Sequence, residues 1–382
     1  MTVRVPVQGA LLAWAQRRSS VPHDKLVAKF PALEAWEVGE KQPTLKQLEH
    51  FARATYTPVG YLLLAEPPEE RLPVPDFRTI GGIEVGQASP DLLDTVYQCQ
   101  QRQDWYRDYA RLHGEPVVAF VGTLTTDVDV VEAARQMRSA FEFELDHRGP
   151  TWSEAARRLA TAADEHGVLV MVNGVVGSNT HRKLDPREFR GFALSDELAP
   201  LIFVNGADTK AAQIFTLGHE LAHLWLGESA VSDVDLAINS SNPVERWCNR
   251  VAAEFLLPLA DVGDVDVDEA ALTGELERLA RRFKVSTLVV LRRLFDSGRL
   301  TEAEYRMAYA KERDRVLALM DERASGGGDF YKTQPVRVSK RFARALIEST
   351  LEGQTLHRDA FQMLGFRKQA TFEELAHRLG VT

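Results

Sequence analysis

Thr209-Lys-Ala-Ala-Gln-Ile-Phe-Thr-Leu-Gly-His-Glu-Leu-Ala-His-Leu-Trp-Leu-Gly227 carries the pattern around which the rest of the chain is organised. Its apolar residues Ile214, Leu217, Leu221, Leu224 and Trp225 recur at helical spacing and predict a helix anchored in a core. Asp208 or Thr209 is the expected N-cap, and Gly227 fits a C-terminal stop. Inside the helix lies His219-Glu-Leu-Ala-His223. At 3.6 residues per turn, two histidines four apart project from one face, at the spacing that holds a single zinc ion. Glu220 falls about a quarter-turn round, where it can take a proton from the attacking water. Core on one side and imidazoles on the other is what a catalytic metal helix requires.

Zinc in such a site needs a third protein ligand. The chain offers two glutamates in Val244-Glu-Arg-Trp-Cys-Asn-Arg-Val-Ala-Ala-Glu-Phe-Leu-Leu-Pro258. Read as a helix, Glu245 shares a face with Asn249, Ala252 and Leu256, and the small Ala252 permits close helix approach. Glu254 projects from the opposite side with Trp247 and Val251. Glu245 is therefore the expected ligand and Glu254 its rival. His219, His223 and Glu245 leave a fourth position open, the arrangement of a catalytic site.

These two segments resemble the ImmA/IrrE family of bacterial and phage metallopeptidases. Asn179–Leu194 and Pro200–Asn205 resemble the family's segment before the metal helix, and the likeness runs from about Trp152 to Pro258. It implies metal ligands at His219, His223 and Glu245 and a catalytic glutamate at Glu220. The family often has Met before the closing proline, where this chain has Leu257.

The chain has 382 residues, enough for two or three domains, and its 45% hydrophobic, 26% charged composition is that of a soluble globular protein. A net charge of −9 argues against coating nucleic acid through bulk charge. With neither a leader pattern nor a long apolar run, the expectation is a cytoplasmic protein without membrane contact. Cys99 and Cys248 make no disulfide framework, and Cys248 reads as core packing.

Working outward, residues 10–66 read as a run of short helices within a domain placed at 1–66. Trp36-Glu-Val-Gly before Pro43-Thr44, with Thr44 as cap, resembles a helix-turn-helix domain of the phage-repressor (Xre-like) class. In that class the third helix enters the major groove. Here the segment carries Glu34, Glu37 and Glu40 against Lys29 and Lys41, which works against phosphate contacts. DNA therefore stays open as a partner beside a docking or dimerisation role. Residues 67–150 read as a linker and helical segment, with a long helix over 90–113, its aromatic stripe in core, and another over 127–141. The metallopeptidase domain is placed at 151–325. It comprises a helix from Trp152 to His166 capped by Ser153, short strands over 168–172, 189–194 and 201–204, and the metal helix. His181 and Arg190 read as exposed loop residues, with a substrate carbonyl as the alternative for each. An acidic loop is expected over 261–269. The basic segment Leu276–Leu300 is a helix–turn–helix pattern read as packing. A glycine-rich break at 326–329 precedes a C-terminal module, 330–382, whose sequence names no chemistry.

The expected class is α+β, mainly helical: an N-terminal helix-turn-helix bundle, a zincin-like domain with a small sheet, and a helical C-terminal region. The expected function is a zinc endopeptidase with a regulatory, repressor-like protein as substrate, acting in stress response or mobile-element control. The alternative is a DNA-binding regulator or antitoxin-like partner, with a toxin-like protein or a second copy of the chain as companion. In that case the metallopeptidase fold would serve as sensor or binding surface.

Overall fold

The computed structural model describes residues 4–19, 21–76, 79–80, 83–84, 88–232, 242–263, 269–322 and 337–381. The acidic loop and the glycine-rich break expected from sequence fall largely outside the described residues. The chain divides into two compact units, Met1–Pro73 with Gly86–Asp94, and Val74–Val85 with Thr95–Thr382.

In the first unit, α1 (Gly9–Ser19), α2 (His23–Lys29), α3 (Leu33–Glu37) and α4 (Leu45–Ala54) enclose a core of Leu11, Leu12, Leu26, Leu33, Trp36, Leu48 and Phe51. Thr44 forms a reciprocal capping box with Gln47, satisfying two orphan backbone donors at the start of α4. Gly9 marks the contact of α1 with α3, since a Cβ there would lie 1.8 Å from the Glu37 carbonyl oxygen. On α3, Leu33 and Trp36 face inward and Glu34 outward, so the exposed side of this helix is acidic.

The second unit is α+β and mainly helical, as its sequence leads one to expect. A two-residue hairpin of β1 (Thr79–Ile80) and β2 (Ile83–Glu84) precedes α5 (Pro90–His113), α6 (Val130–Phe141) and α7 (Trp152–Glu165). The expected cap of α7 is corrected: Thr151, one residue before the helix, accepts from the Glu154 N–H. Ser153 is already helical. The helix opens on Trp152, whose indole N–H donates to the Val285 carbonyl at 3.0 Å.

β3 (Leu169–Asn173), the hairpin β4 (Val175–Val176) and β5 (Asn179–Lys183), β6 (Gly191–Leu194) and β7 (Leu201–Asn205) lead into the metal helix α8 (Lys210–Leu226). β8 (Ala230–Ser232) then returns to the sheet, whose order is β3-β7-β6-β8. β3 and β7 are parallel, and β6 is antiparallel to both neighbours. Side chains alternate across it as strand geometry demands. Val170, Ala193, Ile202 and Val204 join the core beneath α8. On the other face Phe192 stacks on Phe203 at 5.1 Å, and Arg102 of α5 reaches the Met171 sulfur at 3.6 Å.

α9 (Pro243–Leu256) packs on α8 and α6. α10 (Glu269–Phe283) and α11 (Thr287–Asp296) continue the same core, followed by α12 (Glu302–Glu322). Arg148, buried, donates to the carbonyls of Leu256 at 2.6 Å and Phe283 at 2.8 Å, tying together the C-terminal ends of α9 and α10. A cation there complements both helix dipoles. The C-terminal helices α13 (Lys340–Leu351), α14 (His357–Leu364) and α15 (Gln369–Leu379) belong to this unit. Arg102 joins them to it, donating to the Met363 carbonyl at 3.0 Å near the end of α14.

Candidate metal centre

α8 begins where the Thr209 hydroxyl accepts from the Ala212 N–H. It ends at Gly227, whose φ of 74° is the left-handed conformation that glycine adopts without steric penalty. Every residue from Gln213 to Trp225 is buried, a stronger condition than the one-sided stripe suggests. α7 and α9 pack on it, β6 and β7 lie beneath, and Trp225 stacks on Phe120 at 4.1 Å. The imidazoles thus point into the interior of the domain.

His219 and His223 are both fully buried, with their Nε2 atoms 3.0 Å apart. α9 begins at Asn242, whose side chain accepts from the Val244 N–H, with Pro243 as its first residue. That start places Glu245 in the first turn, 1% exposed, with Oε2 3.3 Å from His219 Nε2 and Oε1 3.0 Å from His223 Nε2. Three donors around one ion at roughly 2.0–2.1 Å in tetrahedral geometry stand about 3.3 Å apart. The two imidazole nitrogens, with one Glu245 oxygen near each, come close to this, and among the described residues His219, His223 and Glu245 form a group that could hold an ion.

The electrostatics agree with this fit. Burial opposes the Glu245 charge, but His219 and His223 outweigh it and hold its carboxyl well below the usual carboxylate range. Burial pushes His223 below the ordinary imidazole value, favouring the neutral ring that metal ligation needs. Glu245 Oε2 and both Glu220 oxygens are buried without a hydrogen-bond partner, a costly state that a bound cation and its waters would relieve. Burial raises the Glu220 pKa well above the ordinary carboxyl value, and the nearby Glu245 charge adds to the rise. The Ser232 hydroxyl opposes it without reaching ordinary hydrogen-bond geometry.

Glu254 takes no part in this cluster. It pairs with the buried Arg293 of α11 and accepts from the Leu259 N–H at 3.3 Å. Arg293 also reaches Asp296 at 3.2 Å, so this arginine of the basic segment is spent on packing, while Arg281 and Arg282 are exposed. His181 is exposed on β5, and Arg190 lies 3.5 Å from Asp208. Cys248 is buried in the main core, where burial holds its thiol protonated.

Two residues escaped the sequence reading. Gly191 on β6 lies under α8, and a Cβ there would stand 2.5 Å from the Thr216 methyl, 2.8 Å from the Phe203 carbonyl oxygen and 3.3 Å from Glu220 Oε1. Only a glycine lets strand and helix approach this closely without disturbing Glu220. Ser232 ends β8, fully buried, with its hydroxyl 3.3 Å from Glu245 Oε1 and 3.4 Å from His223 Nε2. A glycine opening a strand was the one available signal for the first. Ala-Val-Ser offers none for the second.

Residues 163–295 match the family model Peptidase_M78, described as the IrrE N-terminal-like domain. Residues 338–378, spanning nearly all of α13–α15, match a domain of unknown function, DUF8813. Comparison with curated proteins returns no match to the chain. No described helix is long and apolar enough to cross a membrane. Residues 163–295, which contain the buried His219, His223 and Glu245 cluster, are thus similar to a metallopeptidase domain of the IrrE N-terminal-like type.

Proposed function

We propose that the chain is a zinc-dependent endopeptidase that cleaves a regulatory, repressor-like protein. The observation that carries this reading is Glu220, a buried carboxylate with both oxygens unpartnered beside a His219, His223 and Glu245 cluster of metal-binding dimensions. A purely structural metal site has no use for it. His219, His223 and Glu245 would hold the ion, leaving one position for water or substrate. When bound, zinc supplies Lewis acidity, polarising the peptide carbonyl and making the attacking water more acidic. Glu220 takes the proton of that water and passes it to the leaving amine. Burial disfavours its charged form and so favours uptake of the proton. The buried, unbridged Cys99 and Cys248 are in keeping with a reducing cytoplasm.

The first unit would then be the regulatory module. The outward Glu34 on α3 favours a protein partner, a toxin-like protein or a second copy of the chain, over the DNA backbone. Comparing the native host carrying wild type with one carrying Glu220→Gln tests the enzyme reading. One regulatory protein should accumulate intact in the mutant, while identical proteomes and phenotypes would refute the peptidase. A gel shift with the chain's own upstream DNA tests the alternative regulator role, and tight binding at physiological salt would support it.

A further inference from the structure

We propose that Ser232 divides the two oxygens of Glu245, holding Oε1 with its hydroxyl proton so that Oε2 is the metal ligand. This rests on the reading of the cluster as a metal site and adds a positioning residue to it. The geometry starts from the strand. β8 is secured on one edge by β6, with Gly191 opposite Ser232, and on the other by the Val231 N–H, which donates to the Pro75 carbonyl at 2.9 Å. A serine on a strand held at both edges and wholly buried has little freedom to move.

A hydroxyl has one proton to give. Within reach of Ser232 Oγ are Glu245 Oε1 at 3.3 Å and His223 Nε2 at 3.4 Å, with Glu220 close by. In a metal-loaded site the His223 Nε2 lone pair is engaged and cannot accept. Neither Glu220 oxygen has a hydrogen-bond partner. The proton therefore goes to Glu245 Oε1. Oε2, buried and unpartnered 3.3 Å from His219 Nε2, is left for the ion. Without Ser232 the two oxygens differ little, since each lies 3.0–3.3 Å from an imidazole nitrogen, and the carboxylate could close on the ion with both. Ser232 thus keeps Glu245 monodentate and preserves the open position.

The test titrates metal-free wild type, Ser232→Ala, Ser232→Thr and His219→Ala with Zn2+ against a chromophoric chelator, records the Co2+ absorption spectrum of each and measures the metal-free Tm. Loss of an outer-sphere partner of a ligand typically weakens metal affinity about 10–100-fold. Ser232→Ala should show that loss, with a Co2+ spectrum shifted toward higher coordination and a metal-free Tm close to wild type. Ser232→Thr, which keeps the hydroxyl, should restore affinity and spectrum. Affinity within about twofold of wild type and an unchanged Co2+ spectrum in Ser232→Ala would overturn the proposal. So would a weaker affinity accompanied by an equal fall in metal-free stability and no rescue by threonine. If instead His219→Ala bound Zn2+ as tightly as wild type, the metal-centre reading itself would fall.

Discussion

The two glutamates of α9 should separate into one that binds metal and one that serves the fold alone. Glu254→Ala strips Arg293, whose side chain is 4% exposed, of its closest carboxylate. Removing one partner of a buried ion pair costs roughly 3–5 kcal/mol, because the remaining charge stays desolvated. Here Arg293 keeps Asp296 at 3.2 Å and the Leu257 carbonyl at 2.8 Å, so the lower end of that range applies. About 3 kcal/mol lowers the Tm of a unit this large by roughly 5 °C. Metal binding should survive, since Glu254 touches neither histidine. In Glu245→Ala, losing one of three ligands should weaken metal affinity by more than the roughly 100-fold that an outer partner can cost. Metal-free stability should fall as well, since the favourable interaction of the Glu245 charge with His219 and His223 is lost, so metal affinity is the readout that separates the two variants. Differential scanning calorimetry of the metal-free proteins and chelator competition with Zn2+ give the two readouts. A metal-deficient but stable Glu254→Ala beside a metal-replete Glu245→Ala would refute the placement of α9.

Glu220→Gln should keep the metal and the fold while losing about 10²–10⁴-fold in peptidase rate, as removal of a general base does. Equal turnover by both forms on the substrate identified in the host would reassign the proton transfer. Gly191→Ala forces a methyl against the Phe203 carbonyl and the Thr216 side chain, and such overpacking costs about 1–3 kcal/mol. Thermal denaturation should show the loss, and a Tm equal to wild type would mean that β6 and α8 are not so closely apposed. Acid should destabilise metal-free Glu220→Gln, in which the opposing contribution of the raised Glu220 carboxyl is absent. His223 has its folded pKa pushed down by burial, so the unfolded chain binds the extra proton first and stability falls as pH drops through the ordinary imidazole value of 6.5. The depressed Glu245 carboxyl acts in the same direction at lower pH, present above the unfolded value and lost as pH falls toward the folded one. A Tm that rises on acidification from pH 7.5 to 5.5 would contradict the sign.

What could be read without coordinates was local and periodic. The caps and apolar spacing of α8 are encoded within its own residues, and Thr209 and Gly227 take the roles their chemistry favours. The four-residue histidine spacing follows from helix pitch alone. That Glu245 and Glu254 cannot both face the metal follows from helix pitch, and the preference for Glu245 came from its companions Asn249 and the small Ala252. The three strands beneath the metal helix announced themselves as short apolar runs. Other features depended on which distant segments meet. α8 is buried all round because α7, α9 and the sheet close on it, and an apolar stripe in a sequence marks one face without saying how many neighbours will cover the rest. The fate of Glu254 was set by Arg293, thirty-nine positions away. Ser232 gains its place because β8 adds to the far edge of β6, a pairing that register decides and composition does not. Gly191 matters only where a helix side chain comes down onto its Cα. Short-range periodicity is written in each segment's own side chains, whereas a close approach or a polar contact across the core depends on two segments at once, and only the folded chain brings them together.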